Sequence, residues 1–225
     1  MNIAQFNICF AALRFAGLIA MPSASLHAEP AKSAVTLVAF GDSLTAGYML
    51  KPNESFAAQL QMALEAKGHK VFVTNAGVSG DTTAGGLDRL AWTLQPGADA
   101  VILELGANDA LRGLDPKVPR SNLDKILSKL AASNIPVLLA GMKAPGNWGA
   151  DYVKNFDAIY PDLAAKYKVP LYPFFLDGVA LNPALVLADG LHPTAAGVAE
   201  IVKRIMPQAE ALLARAEDKK ATAKN

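Results

Sequence analysis

Cysteine is almost missing from this 225-residue chain, which has one, Cys9, and only three histidines. A disulfide framework is thereby excluded, and no Cys/His metal site is expected. An excess of one charge is missing too, since 21 Lys and Arg meet 20 Asp and Glu. Nucleic-acid binding through counterion release needs a basic surface, so no nucleic-acid partner is expected. Charged residues are 18% of the chain against 52% hydrophobic ones, which excludes a disordered, solvating polypeptide. Three nucleotide and hydrolase signatures are absent as well. No Gly-Lys-Ser/Thr follows a glycine-rich run, and no Gly-x-Gly-x-x-Gly follows the first strand-like segment. The run Gly41-Asp42-Ser43-Leu44-Thr45 lacks the second glycine of a Gly-x-Ser-x-Gly elbow, which argues against the α/β-hydrolase fold.

Acidic residues are absent from residues 1–28, where Arg14 is the one basic residue. The apolar run Phe15-Ala16-Gly17-Leu18-Ile19-Ala20-Met21 is interrupted by Pro22 and leads to Leu26-His27-Ala28. It is far shorter than the ~20 residues that span a bilayer. The pattern predicts a signal peptide cleaved after Ala28 and a periplasmic or secreted product without a stable membrane anchor. An amphipathic N-terminal helix is the competing reading. Cleavage there removes Cys9, Arg14 and His27, leaving 20 basic residues (21 minus Arg14) against 20 acidic ones. A cysteine-free product suits an oxidising compartment.

What is present from Val35 onward is an alternation of strand-like and helix-like segments. Short apolar runs at 35–40, 71–73, 100–105, 135–140 and 169–172 read as buried strands. Helical spacing of apolar residues marks 55–67, 86–94, 119–133, 152–166 and 194–215, with Pro207 expected to bend or interrupt the last. Residues 216–225 are polar and read as a frayed, flexible tail. Five apolar strands separated by helices predict one domain over 29–215, an α/β three-layer sandwich around a five-stranded parallel sheet. Ligands bind such sheets beyond the carboxyl ends of the strands, so function is to be sought there.

Four clusters fall at those ends: Gly41-Asp42-Ser43-Leu44, Gly77-Val78-Ser79-Gly80-Asp81, Gly106-Ala107-Asn108-Asp109 and Asp189-Gly190-Leu191-His192-Pro193. Acyl transfer needs a nucleophile, a base, a group that orients the base, and donors for an oxyanion. Ser43, His192, Asp189 and a trio of donors (Ser43 N–H, Gly80 N–H and the Asn108 amide) would fill that list. Each member also has a plain reading. Ser43 could be a helix N-cap, Asn108 a turn residue, Gly77 and Gly80 loop glycines, and Asp189 and His192 surface residues at a helix entry. The three-residue spacing of Asp189 and His192 lets one tight turn present both side chains to the same side. Pro193 favours an extended His192, and Thr194 is placed to cap the helix that follows. His69 carries no role. Trp92, Trp148, Tyr152 and Tyr160 read as packing or groove-wall residues.

With these four clusters in this order, the chain resembles the SGNH (GDSL) hydrolases. The matching text is Phe40 to Tyr48, Asn75 to Thr82, Gly106 to Asp109 and Asp189 to Pro193. Leu103 to Gly113 and Ile159-Tyr160-Pro161 are similar to the bacterial thioesterase/lysophospholipase/arylesterase branch. The resemblance implies a flavodoxin-like sheet, Ser43 as nucleophile, His192 as base oriented by Asp189, and an oxyanion hole of Ser43, Gly80 and Asn108. It implies no metal or organic cofactor, a small-molecule acyl ester or thioester as substrate, and an acyl groove bordered by residues 109–114. Two other readings stand beside it: a carbohydrate O-acetylesterase on the same scaffold, and a catalytically silent flavodoxin-like binding module.

Overall fold

The computed structural model describes residues 34–95 and 97–223, so the expected export segment and its cleavage point at Ala28 lie outside the described residues. Strand β1 (Val35–Gly41) is sandwiched between β2 (Val71–Gly77) and β3 (Ala100–Glu104). Beyond β3 come β4 (Val137–Ala140) and β5 (Leu171–Tyr172), all parallel, in the order β2-β1-β3-β4-β5. β3 and β4 are buried along their whole length, as strands covered on both faces must be. β2, at the sheet edge, alternates and exposes Phe72.

Right-handed crossovers fix the layers. The connection from β1 to β2 runs one way across the sheet and puts helix α2 (Phe56–Ala66) on one face. The remaining connections run the other way and put α3 (Thr83–Thr93), α5 (Lys117–Ala132) and α7 (Ile159–Tyr167) on the opposite face. The last helix, α8 (Ala195–Thr222), packs beside α2. Shorter helices follow the strand exits, among them α1 (Ser43–Ala46), α4 (Ala107–Leu111) and α6 (Ala150–Asp157). Among the described residues no helix is long and apolar enough to cross a membrane.

Several boundaries differ from the sequence expectations, each for a physical reason. β2 continues through Asn75 to Gly77, because its register with β1 runs on to Gly41 opposite Gly77. The expected helix at 152–166 is two helices, α6 and α7. Pro161 has no N–H to give the Asp157 carbonyl, and its ring crowds that carbonyl, so the helix breaks at Ala158. Pro207 does not interrupt α8. The expected tail at 216–225 is corrected over most of its length: α8 runs to Thr222 with Ala216 fully buried. Ala209, Leu212, Leu213 and Ala216 prolong the apolar stripe of Val198, Ile201, Val202 and Ile205. Lys220 Nζ reaches Asp99 Oδ2 at 2.6 Å and the Ala34 carbonyl at 2.9 Å, and Lys219 reaches the Asn134 carbonyl.

Candidate active site

The turn after β1 gives Ser43 its chance. The N-cap of α1 is Asp42, whose Oδ1 accepts from the Leu44 N–H at 3.0 Å. Ser43 is therefore the first helical residue, not the cap, and its hydroxyl is left to other partners. Its backbone N–H is one of the helix-start donors with no intrahelical acceptor. The side chain is nearly buried yet reaches His192, with Ser43 Oγ 2.9 Å from His192 Nε2.

Residues before α8 bring the imidazole to it. Leu187 N–H donates to the His192 carbonyl at 2.7 Å and Thr194 N–H to the Leu185 carbonyl at 2.9 Å, pinning this turn to the chain before it. Thr194 caps α8, accepting from Gly197 N–H. Asp189 Oδ1 accepts the N–H groups of Leu191 and His192 at 2.9 and 3.0 Å, and Asp189 Oδ2 lies 2.6 Å from His192 Nδ1. Those backbone donors, then the imidazole, pull the Asp189 carboxyl down to about 2. A permanent carboxylate accepts only, so Nδ1 carries the proton and the neutral ring offers Nε2 to the Ser43 hydroxyl. The Tyr48 ring lies 4.5 Å from the imidazole, centre to centre, and walls it on one side.

Asn108 enters from α4. Its Nδ2 donates to the Asp81 carbonyl at 2.9 Å and to Asp42 Oδ2 at 3.2 Å, which places the amide beside the Ser43 turn. Burial raises the Asp42 carboxyl to about 6. Gly80 has φ +81°, a conformation glycine adopts without strain, and its carbonyl accepts from Arg112 Nη2 at 2.9 Å. The next residue of α4, Asp109, is fully buried and ties the segment to the start of α3, accepting Thr83 N–H at 2.8 Å and Thr83 Oγ1 at 2.6 Å.

Ser43, Asp189 and His192 are thus brought together, with Asn108 and the Gly80 loop alongside. Four side chains with no individual role in the sequence reading also contribute. Arg89 on α3 binds Asp81 Oδ2 at 2.7 Å and the carbonyls of Ala76 and Gly41 at 2.9 and 2.8 Å, its guanidinium 4.1 Å from the Phe40 ring centre. It clasps the exits of β1 and β2 and the Gly80 loop together. Glu104 and Thr45 lie beneath the Ser43 turn, and Asp42 joins that turn to Asn108. The contacts of Arg89 to Gly41, of Glu104 to Asp42 and Thr45, and of Asp42 to Asn108 each join residues dozens of positions apart, and no local motif announces the pairings. Among the described residues no group of three or more His, Cys, Asp or Glu side chains could hold a metal ion.

The family model for "GDSL-like Lipase/Acylhydrolase family" matches residues 39–199 of this chain. The chain belongs to that family. All four GDSL-type clusters fall within that stretch. Among characterised relatives, the arylesterase of Vibrio mimicus is 45% identical over 158 residues, 70% of this chain and 79% of that protein. The thioesterase 1/protease 1/lysophospholipase L1 of Escherichia coli is 41% identical over 164 residues, 72% and 77% of the two chains. Among solved structures, a psychrotrophic esterase of Pseudoalteromonas, inhibited by monoethylphosphonate, superposes with a TM-score of 0.75 at 31% identity, covering 79% of this chain and 98% of that one. The GDSL fold expected from the sequence, a five-stranded parallel sheet between helices, is the one observed.

Proposed function

We propose that this GDSL-family chain is a serine hydrolase of acyl esters and thioesters, working through an acyl-enzyme. One observation carries the reading: the continuous chain from Ser43 Oγ to His192 Nε2 at 2.9 Å and from His192 Nδ1 to Asp189 Oδ2 at 2.6 Å. Ser43 Oγ attacks the acyl carbon while His192 Nε2 takes its proton, and Asp189 holds the imidazolium that results. The carbonyl oxygen gathers negative charge between Ser43 N–H, Gly80 N–H and Asn108 Nδ2. The longer of the two Asn108 contacts, 3.2 Å to Asp42, is the one that gives way to it. His192 then protonates the departing alcohol or thiol. Water attacks the acyl-enzyme, with the same imidazole as base, and releases the acid.

Exposed apolar side chains favour an acyl substrate over a sugar. Tyr48, Met49, Val78, Leu111 at the end of α4, Trp148 and Leu191 all stand in segments that follow the carboxyl ends of the strands. The test is a panel of p-nitrophenyl esters, acetate to long-chain, with acyl-CoA and lysophospholipid, on the wild type and Ser43→Ala. Turnover extending beyond acetate and lost in Ser43→Ala is the expected result. Turnover of acetate alone would move the reading to a carbohydrate O-acetylesterase, and none at all to a binding module. Export rests on the acid-free segment 1–28. The expected mature N-terminus in the native host is Glu29, read by mass spectrometry; an intact Met1 in the cytoplasm would refute export.

A further inference from the structure

Glu104 is a buried carboxyl that the proposed chemistry does not use. It ends β3 with no exposed surface, directly under the Ser43 turn. Its Oε2 accepts from Thr45 Oγ1 at 2.8 Å and from the Asp42 N–H at 3.3 Å. Asp42 and Thr45 lie on either side of Ser43, so a single oxygen holds the turn before and after the serine. Space is tight enough to demand a glycine above it. A Cβ at Gly41 would lie 2.1 Å from Thr45 Oγ1 and 2.5 Å from Glu104 Oε2. Helix α1, four residues long and ended by Gly47 at φ +83°, is too short to hold itself. Its orientation comes from what it rests on.

We propose that Glu104 is a positioning residue for Ser43: through Asp42 and Thr45 it fixes the short helix that aims the hydroxyl at His192. This rests on Ser43 being the nucleophile. The carboxyl acts in its neutral form. It is wholly desolvated, and the charged groups facing it offer no counter-ion. Asp42 is of like sign, Tyr160 on α7 is a phenol, and Arg89 on α3 is committed to Asp81 and to backbone carbonyls. Burial first, then the neighbouring Asp42, pushes the Glu104 carboxyl well above the ordinary range. Oε2, which accepts twice, is its carbonyl oxygen. Oε1, buried without a partner, carries the proton.

An orphaned buried oxygen is a cost to stability, so a fold serving stability alone would prefer an apolar side chain here. That separates a positioning role from a merely structural one. Wild type, Glu104→Gln, Glu104→Met and Thr45→Val are to be compared for p-nitrophenyl ester kinetics, the rate of Ser43 labelling by a fluorophosphonate, and Tm. Glu104→Met is expected to keep or raise Tm, to lower kcat by roughly 10²-fold at unchanged KM, and to slow labelling by a similar factor, as a misaligned nucleophile does. Glu104→Gln, which restores the accepting oxygen, should recover most of that loss, and Thr45→Val should fall between. Wild-type Tm should decline as pH rises above the ordinary carboxylate range, because the unfolded chain then gains by ionising Glu104 while the buried carboxyl stays neutral. Glu104→Gln should show less of that decline. Wild-type kinetics and labelling in Glu104→Met would overturn the inference. So would a loss in Glu104→Gln as deep as in Glu104→Met, tracking a fall in Tm. A wild type that the fluorophosphonate does not label at Ser43 would refute the nucleophile assignment itself.

Discussion

Asp42 sits at the junction of three demands, since its Oδ1 caps α1, its Oδ2 meets Asn108, and its N–H rests on Glu104. Asp42→Asn can preserve the cap, because an asparagine oxygen also accepts from Leu44 N–H. The other end of its side chain then points an amide at the Asn108 amide, donor against donor. Asn108 is expected to turn away, lowering kcat by roughly 10²–10³-fold, the cost of one lost oxyanion donor. Steady-state kinetics showing Asp42→Asn equal to wild type would refute that coupling. The variant should also remove a pH sensitivity. Asp42 is raised to about 6 in the folded chain, so its contribution to stability is present below its unfolded value near ~4 and is lost as pH rises through about 6. The opposite sign holds for Asp189, lowered to about 2, whose contribution is present above ~4 and lost as pH falls through about 2. His192→Ala should cost about 10⁴–10⁶-fold in kcat, as removal of a triad base does. At this scale the sequence was legible where chemistry is local. Ser43 follows a strand, and Asp189 and His192 share one turn. The contact from Asp42 to Glu104 spans 62 residues and that from Arg89 to Gly41 spans 48, and no short motif reports either.

Four aromatic rings follow one another at a spacing of four: Trp148 just before α6, Tyr152 and Phe156 on α6, and Tyr160 on α7. Successive ring centres are 6.0, 6.2 and 5.9 Å apart, so the ladder crosses the break at Ala158 without losing its face. Its outer side holds the segment that bears Asn108. Tyr160 Oη donates to the Leu105 carbonyl at 3.0 Å and Tyr152 Oη to the Leu114 carbonyl at 2.9 Å. The Trp148 ring covers Gly113, where φ is +62° and a Cβ would meet the ring at 2.6 Å. Tyr160→Phe leaves a buried carbonyl unpaired and is expected to cost about 1–3 kcal/mol in denaturant unfolding. A variant as stable as wild type would show that the hydroxyl does not anchor the segment. The sequence marked Trp148, Tyr152 and Tyr160 as packing or groove-wall residues and could go no further, because ring-to-ring contact depends on how two helices join. The same limit explains the extra reach of β2: nothing in Asn75-Ala76-Gly77 favours a strand, and only pairing with β1 makes one.

Across the whole molecule the two ends of the sheet do different work. The carboxyl ends carry the Ser43 turn, the Gly80 loop, α4 and the His192 turn. The amino ends are tied by the last turns of α8, where Lys220 meets the Ala34 carbonyl and Asp99, and Asp99 in turn accepts from Thr36 N–H at 2.8 Å. The five parallel strands and the three layers were readable from apolar runs, since strands buried on both faces leave little else to choose. The C-terminal turns of α8 were not, because Glu217, Asp218, Lys219 and Lys220 look like a solvated tail until their partners are known. The last turns of α8 should matter for stability and not for activity. Removing residues 216–225 takes away the buried Ala216 methyl group, the Lys220–Asp99 ion pair and the bonds of Lys219 and Lys220 to backbone carbonyls. The ion pair is only partly exposed, at 27% and 22%, so screening weakens it less than a surface pair. Together these losses are expected to cost about 1–3 kcal/mol. None of them touches the Ser43 end of the strands, so kcat/KM at a temperature well below Tm should stay within about twofold of wild type, the additive behaviour of distant sites. Lys220→Ala alone should reproduce most of the loss in Tm. A truncated chain with unchanged Tm would return residues 216–225 to the status of a tail, and one that is stable but inactive would mean that the two ends of the sheet are coupled.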